Sequence, residues 1–385
     1  MLTDLAFNLV KEGSEVSIIC SSQSYDKSNS TYKKYEEINS VKVYRVKTTD
    51  FGRNWLPGRV IDYMSYFLGM VWLLFNTAQK GDIVVAKTDP PLTSALTYPI
   101  AKLKKAEHVN WVQDLFPEVA ESLGIKLFPH FIARLLRRLR NWSFANSRVN
   151  VVIGERMKQR LLDQNIPTNS IVVIPNWANN DEIKPIEKQN NPLKVTWNLS
   201  DKFVVLYSGN MGRVHEFGTI IRAAETLKNR PEFVFLFIGG GPQKEYLQQE
   251  VKSKNLTNVI LKPYQDYGQL SQSLSIGDVH LVSLRSAIEG YCVPSKYYGI
   301  LAVGRPVIFI GDPSGEIGNI INNDESGMVI PEGNSDLLTD SIYSLAQDTL
   351  MLEKMAANAS RSVNEKYNSG VSMKKWKDTL DSISV

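Results

Sequence analysis

An α/β protein with two halves, each built on a parallel sheet, is what this sequence predicts, and three observations carry the prediction. Short runs rich in Val and Ile alternate with longer stretches of helical periodicity. The alternation runs through the first half of the chain and starts afresh in the second. Between them lies a polar segment, NWANNDEIKPIEKQNNPLKVTW (176–197), with Pro185 and Pro192 and no sustained period. Strands alternating with helices build parallel sheets covered by helices. Two such units are the economical reading for 385 residues, a length beyond which single cores usually divide.

Taken in order, the chain opens on MLTDLAFNLVKEG, an amphipathic helix. The runs SEVSIIC (14–20), DIVVAK (82–87), VNWVQD (109–114), NVVIG (150–154) and IVVIP (171–175) then read as strands. The second half continues with FVVLYSG (203–209), FVFLFIGG (233–240), VILKPY (259–264), VHLVSL (279–284) and PVIFIG (306–311). Three closing segments, 334–348, 350–366 and 368–383, have helical spacing. The expected division is therefore a Rossmann-like domain over 1–177 and a second over 178–367, their sheets facing across a cleft, with the terminal helix in 368–385 crossing back to the first. A doubly wound domain ordinarily begins with a strand and a glycine-rich turn. Here a helix comes first, so the opening strand is expected to be absent and the start truncated.

Composition narrows the classes. Hydrophobic residues make up 43% and charged residues 22%, as in an ordinary folded protein. A net charge of +4 is too small and dispersed to indicate nucleic-acid binding. Cys20 and Cys292 stand alone, without the spacing of a zinc site or a disulfide framework. No basic n-region, apolar core and cleavage site mark an export signal, and a cytoplasmic location is expected. The longest uncharged stretch, Met64 to Gln79, is shorter than the roughly 20 residues that span a bilayer, which makes it a buried or surface-lying helix.

Three turns can carry chemistry. The strand FVVLYSG ends in Ser208-Gly209-Asn210-Met211-Gly212-Arg213; glycines at a strand-to-helix turn let backbone amides approach an anion, although a turn needing positive φ would use them too. The next strand ends in Gly239-Gly240-Gly241, which suits either a thin cleft floor under a base or ribose or tight strand-helix packing. Most informative is the segment from Arg285 to Pro306, which follows a buried strand and holds Glu289 and Lys296 seven residues apart. Loops at the carboxyl ends of strands in an open α/β sheet open onto the ligand crevice. There Glu289 suits sugar hydroxyls and Lys296 a leaving diphosphate. In the first half, Asp114 ends a strand and suits either an acceptor hydroxyl or the cap of the helix beginning near Pro117.

The stretches YSGNMGR, FIGGGP, EGYCVPSKYYGILAVGRPVI, WVQDLFPEV and IPNWANN together resemble the retaining glycosyltransferases of family 4, especially bacterial polysaccharide members similar to colanic acid and N-acetylfucosamine transferases. The resemblance implies a GT-B fold, a nucleotide-sugar donor in the C-terminal half, transfer with retention and no obligatory metal or other cofactor. Glu289 matches the family's first glutamate and is expected to face the donor sugar. Arg213 and Lys296 are the expected diphosphate cations. Gly209, Asn210, Gly212, Gly239, Gly240, Gly241, Tyr264, Pro294 and Ser295 complete the expected donor site, with Asp114 as the acceptor-side carboxylate. The second glutamate of the family falls at Gly299, and His215 stands where many members carry a lysine.

The resemblance also implies a uridine-linked donor and a lipid-linked or polysaccharide acceptor. The stretch KLFPHFIARLLRRLRNW (126–142) mixes Arg134, Arg137, Arg138 and Arg140 with aromatic and aliphatic residues, a pattern that suits an anionic membrane face, with 51–75 as a second contact. A solvated helical face is the plainer reading of the same residues. Two other functions share this architecture: a sugar-nucleotide epimerase, and a non-catalytic donor-binding protein.

Overall fold

The computed structural model describes residues 1–23, 32–51, 56–125 and 128–384. Among the described residues, seven strands lie in the first half: β1 (Ser17–Ser21), β2 (Tyr35–Ile38), β3 (Val41–Val46), β4 (Ile83–Lys87), β5 (Glu107–Val112), β6 (Val149–Val152) and β7 (Ile171–Val173). Six lie in the second: β8 (Phe203–Ser208), β9 (Phe233–Ile238), β10 (Val259–Lys262), β11 (Val279–Ser283), β12 (Val307–Gly311) and β13 (Gly327–Pro331). The sequence reading missed β2, β3 and β13. Tyr35–Ile38 carries two glutamates on an exposed edge, and Val41–Val46 buries only Val41, Val43 and Val46, so neither makes a Val/Ile run.

The C-terminal sheet is wholly parallel, in the order β10-β9-β8-β11-β12-β13. Successive strands build outward from β8 in one direction through β9 and β10, then from β11 in the other. The order therefore reverses between β8 and β11, and the crevice at such a reversal, at the carboxyl ends of the strands, is where open α/β sheets bind ligands. Both turns singled out around Gly209 and Glu289 leave the sheet at this point.

The N-terminal half departs from the single parallel sheet expected of it. Four parallel strands pair in the order β4-β5-β6-β7, and a separate sheet pairs β1 parallel and β2 antiparallel to β3. Helix Leu56–Thr77 covers both: Ile19 of β1 and Val84 of β4 pack on the same apolar group as its Leu74. Gly69 brings this helix against β3, since a Cβ there would collide with Val46.

Helix Ser369–Asp381 lies in the N-terminal half, its Trp376 edge-on to Trp111 of β5 at 5.0 Å. Trp177 stacks on Trp111 at 5.8 Å and donates its indole N–H to Asp4 of helix Leu2–Lys11 at 3.1 Å. A further apolar cluster crosses between the halves, joining Val112, Leu115, Met157 and Leu161 to Ile288, Val293, Ile317 and Ile321. Each fully buried aliphatic side chain of this kind is worth about 1.5–3 kcal/mol relative to exposure.

Candidate active site

At the end of β8 the chain turns through Gly209, whose φ of +128° is open to glycine and strained for other residues. The Gly239–Gly241 turn packs directly on it. Gly209 N–H donates to Ile238 O at 2.9 Å, and Met211 N–H to Gly240 O at 2.7 Å. A Cβ at Gly239 would overlap the Gly209 carbonyl, and one at Gly241 would overlap the Asn210 side chain. These two glycines therefore serve the packing of one turn against the other. Tyr264, 55% exposed, lays its ring against both Gly239 and Gly240 and donates its hydroxyl to Gly240 O at 3.3 Å.

Lys296 opens helix Lys296–Ala302 after buried Pro294 and exposed Ser295. Its side chain runs back beneath the Gly209 turn, passing 3.4 Å from where a Gly209 Cβ would stand. The ammonium donates to the Tyr207 hydroxyl and sits 3.7 Å over the Tyr207 ring. Tyr207 in turn donates to Asn210 O at 2.8 Å. Among the described residues no carboxylate pairs with Lys296. Enclosure by protein pushes its pKa well below the ordinary lysine value. A half-buried amine without a carboxylate partner is a preformed anion site, since a diphosphate would both fill it and restore its charge.

The other cations fall elsewhere. Arg213 is exposed, beyond Gly212, and its carbonyl accepts Arg285 Nε at 3.1 Å. His215 is buried, donating Nδ1–H to Ser283 O at 2.5 Å and packing edge-on to Tyr207. Burial, with Lys296 nearby, lowers its pKa to about 3, so the imidazole is neutral and supplies no phosphate charge. Gly299 lies inside helix Lys296–Ala302, where a Cβ would meet Leu274 at ordinary contact distance.

Glu289, 7% exposed, is held at a helix N-terminus: its Oε1 accepts Glu316 N–H at 2.8 Å at the start of helix Glu316–Asp324. Burial raises its pKa, and the neighbouring Glu316 and Asp312 charges add to the rise. Facing it from the N-terminal half, the Asp114-Leu115 turn reaches the same loop, with Leu115 N–H donating to Tyr291 O at 2.9 Å. Asp114 is open to solvent yet closely surrounded by protein. That enclosure, reinforced by the Asp89 charge, raises its pKa to about 6. Pro117 occupies the cap position of helix Glu118–Ser122 without a side-chain cap hydrogen bond, so the capping role does not apply to Asp114.

Several residues of this region were not singled out from the sequence. Asp89 follows β4 as Asp114 follows β5, and the strand-end rule applied to DIVVAKTDPP would have found it. Tyr207, Arg160 and Glu316 had no such signal, because each matters through contacts distant in sequence.

A six-stranded parallel sheet with a strand reversal, packed against a half built on two further sheets, is the arrangement of a GT-B glycosyltransferase. The chain belongs to that class by descent as well: residues 1–177 match the glycosyl transferase 4-like domain and residues 190–362 the glycosyl transferases group 1 domain. It is 26% identical over 306 residues to the probable glycosyltransferase WbjE of Pseudomonas aeruginosa, across 79% of this chain and 75% of that one. The putative colanic acid biosynthesis glycosyl transferase WcaI of Escherichia coli K12 is 27% identical over 227 residues, 57% of this chain and 55% of its own length. In fold, the chain resembles sucrose-phosphate synthase from Thermosynechococcus elongatus (TM-score 0.74, 15% identity, 99% of this chain and 92% of that one). It also resembles Anabaena HepE, solved with UDP-glucose (TM-score 0.70, 14% identity, 90% and 87%).

Proposed function

We propose that this glycosyltransferase moves a sugar from a UDP-sugar, with retention at the anomeric carbon, to a lipid-linked or polysaccharide acceptor in cell-surface glycan synthesis. The observation that carries the donor side is Lys296, half-buried at the strand reversal and without an anionic partner among the described residues. Its charge takes the diphosphate as bond breaking loads the leaving oxygen, a role other transferases give to a metal. Glu289 meets the donor sugar, and Asp114 orients the acceptor hydroxyl from across the cleft.

In a retaining transfer of this form the bond from the anomeric carbon to the diphosphate oxygen breaks. The acceptor oxygen bonds that carbon on the same face, and the acceptor proton passes to the departing phosphate. Asp114, with its raised pKa, then holds the hydroxyl rather than removing its proton. Solved relatives in fold bound to UDP and UDP-glucose support the choice of base.

The acceptor reading is supported by exposed apolar side chains on three packed helices of the N-terminal half. Helix Leu56–Thr77 exposes Met64, Leu68 and Trp72, and helix His130–Asn146 exposes Phe131, Leu135, Leu139 and Trp142. Helix Thr93–Lys104 packs against both and adds Leu103. The basic content is smaller than the sequence suggested: Arg140 is buried on Glu118, and Arg137 pairs with Glu118 and Glu121, leaving Arg134 and Arg138 outward. Residues 126–127 and 52–55 of the two expected membrane segments lie outside the described residues. No helix among the described residues is long and apolar enough to cross a membrane. Contact would be peripheral, at the cytoplasmic face.

Thermal-shift and calorimetric titration with UDP, GDP, ADP and UDP-glucose, with and without EDTA, tests the donor reading, because ligand that binds the folded state raises its apparent stability. Selective stabilisation by UDP that survives EDTA is expected. Stabilisation by a different nucleotide, or dependence on added metal, overturns it.

A further inference from the structure

Glu289 is tied to the acceptor half of the molecule by a closed ring of contacts. Its carboxylate accepts the backbone N–H of Glu316, 2.8 Å away. The Glu316 carboxylate crosses the cleft and accepts Arg156 N–H at 2.9 Å, capping helix Glu155–Leu162 of the N-terminal half. One turn further along that helix, Arg160 returns to the donor half: its Nη2 and Nε donate to Glu289 O at 2.9 and 3.3 Å. Its guanidinium also covers the Tyr291 ring at 4.4 Å.

Two glycines make the ring close. Gly290 has a φ of +80°, and a Cβ there would press within 3.0 Å of Arg160 Cγ and Nε and 3.1 Å of Arg156 O. At Gly154 a Cβ would sit 2.6 Å from the Glu316 carboxyl carbon, where the cap now lies. The carboxylate of Glu289 is thus held by a backbone amide of its own half, and its carbonyl by a side chain of the other half. Leu115 N–H, bonded to Tyr291 O at 2.9 Å, fixes the same loop beside Asp114.

We propose that Arg160 and Glu316 are positioning residues that make the placement of Glu289 depend on contact between the two halves. With the halves apart, the Glu289–Tyr291 loop loses Arg160 and Leu115 together, and the start of helix Glu316–Asp324 loses its tie to Arg156. Glu289 is then aligned for a donor sugar only when the acceptor half is docked, which restrains the loop from exposing an activated donor to water. This rests on the assignment of Glu289 to the donor sugar, and its test has one arm that needs no nucleotide.

That arm is hydrogen exchange on the full-length, ligand-free protein. Arg160→Met keeps the apolar stem over Tyr291 and removes both donors. It is expected to raise exchange at the Glu316 and Leu115 amides by about tenfold or more, with β9 and β12 unchanged. Arg160→Lys, which restores a donor, is expected to recover most of the protection. Unchanged exchange at both amides, or a uniform rise across both sheets shared by Arg160→Lys, overturns the proposal.

The second arm compares UDP with UDP-glucose by calorimetry. Arg160→Met is expected to leave UDP affinity within about twofold while cutting the additional affinity due to the glucosyl group several-fold. In a Glu289→Gln background the same change is expected to add nothing, because its effect passes through Glu289. Equal losses for the two ligands, or full additivity with Glu289→Gln, overturn the positioning role. A wild-type protein that ignores UDP sinks the UDP-sugar reading instead, and the exchange arm still decides the ring.

Discussion

Glu289 accepts the backbone amide of Glu316 at 2.8 Å, so the carboxylate assigned to the donor sugar also closes the N-terminus of a helix. One oxygen is engaged and the other crowds Gly315, which has no side chain to collide with it. Sugar contact and helix cap share one buried group, and a substitution that removes both confuses binding with folding.

Glutamine separates the two roles. Glu289→Gln keeps an acceptor oxygen for the Glu316 amide and loses the charge, whereas Glu289→Ala loses both. The melting temperature of Glu289→Gln should stay near the wild-type value. Glu289→Ala should lose the ~0.5–2 kcal/mol typical of a helix cap. Transfer should fall by at least about a hundredfold in both, the loss expected when a group that stabilises the transition state is removed. Near-normal turnover in Glu289→Gln would confine Glu289 to the cap.

Lys296 makes a prediction about pH. Its pKa is lowered by enclosure, and bound diphosphate would raise it again, so UDP binding takes up a proton wherever free Lys296 is neutral. Affinity for UDP should therefore weaken as pH rises, and calorimetry in buffers of different ionisation enthalpy should register the uptake. Lys296→Met should lose the pH slope and should weaken UDP far more than uridine. Equal losses for UDP and uridine would mean that Lys296 supports the turn and not the phosphate.

Much of this was legible in the sequence, and the boundary has a physical cause. Buried parallel strands such as Phe233–Ile238 are continuous apolar runs, which a reading by pattern finds easily. Turns after such strands are chemically distinctive, so Gly209, Glu289, Lys296 and Asp114 stood out. Half-exposed strands such as Tyr35–Ile38 depend on their partner for stability and leave a weak signature. Function assigned by charge alone was the weakest guide: Arg140 and His215 look free in sequence, and the fold buries both. The ring through Glu316 and Arg160 joins residues 129 positions apart and leaves no local signal.

Asp114 should control the acid limb of activity. Its pKa is raised to about 6, so the carboxylate proposed to orient an acceptor hydroxyl forms as pH climbs through that value. Turnover should rise across this window, and Asp114→Asn should flatten the limb while lowering turnover. Stability moves the opposite way. A folded-state pKa above the unfolded one means that the folded protein holds its proton more tightly, so stability is lost as pH rises from about 4 to about 6. Asp114→Asn should therefore melt higher than wild type at pH 7.5, with the difference vanishing below pH 4. A lower melting temperature at pH 7.5 would show that the carboxylate makes favourable contacts which the ligand-free structure lacks.

Three of the four histidines set acid sensitivity in the other direction. His108, His215 and His280 are buried, with pKa values lowered to about 4, 3 and 3. His108 bridges Thr97 and Ser147, and His280, near the start of β11, meets Leu274 O. Each binds fewer protons folded than unfolded, so stability is fully present above about pH 6.5 and is lost as pH falls toward 4. The melting temperature should drop steeply over that interval, against the smaller gain from Asp114. His108→Gln retains polar contacts to Thr97 and Ser147 and cannot take a proton, so it should make the acid limb shallower. An acid limb of unchanged slope in His108→Gln would assign the sensitivity to other groups.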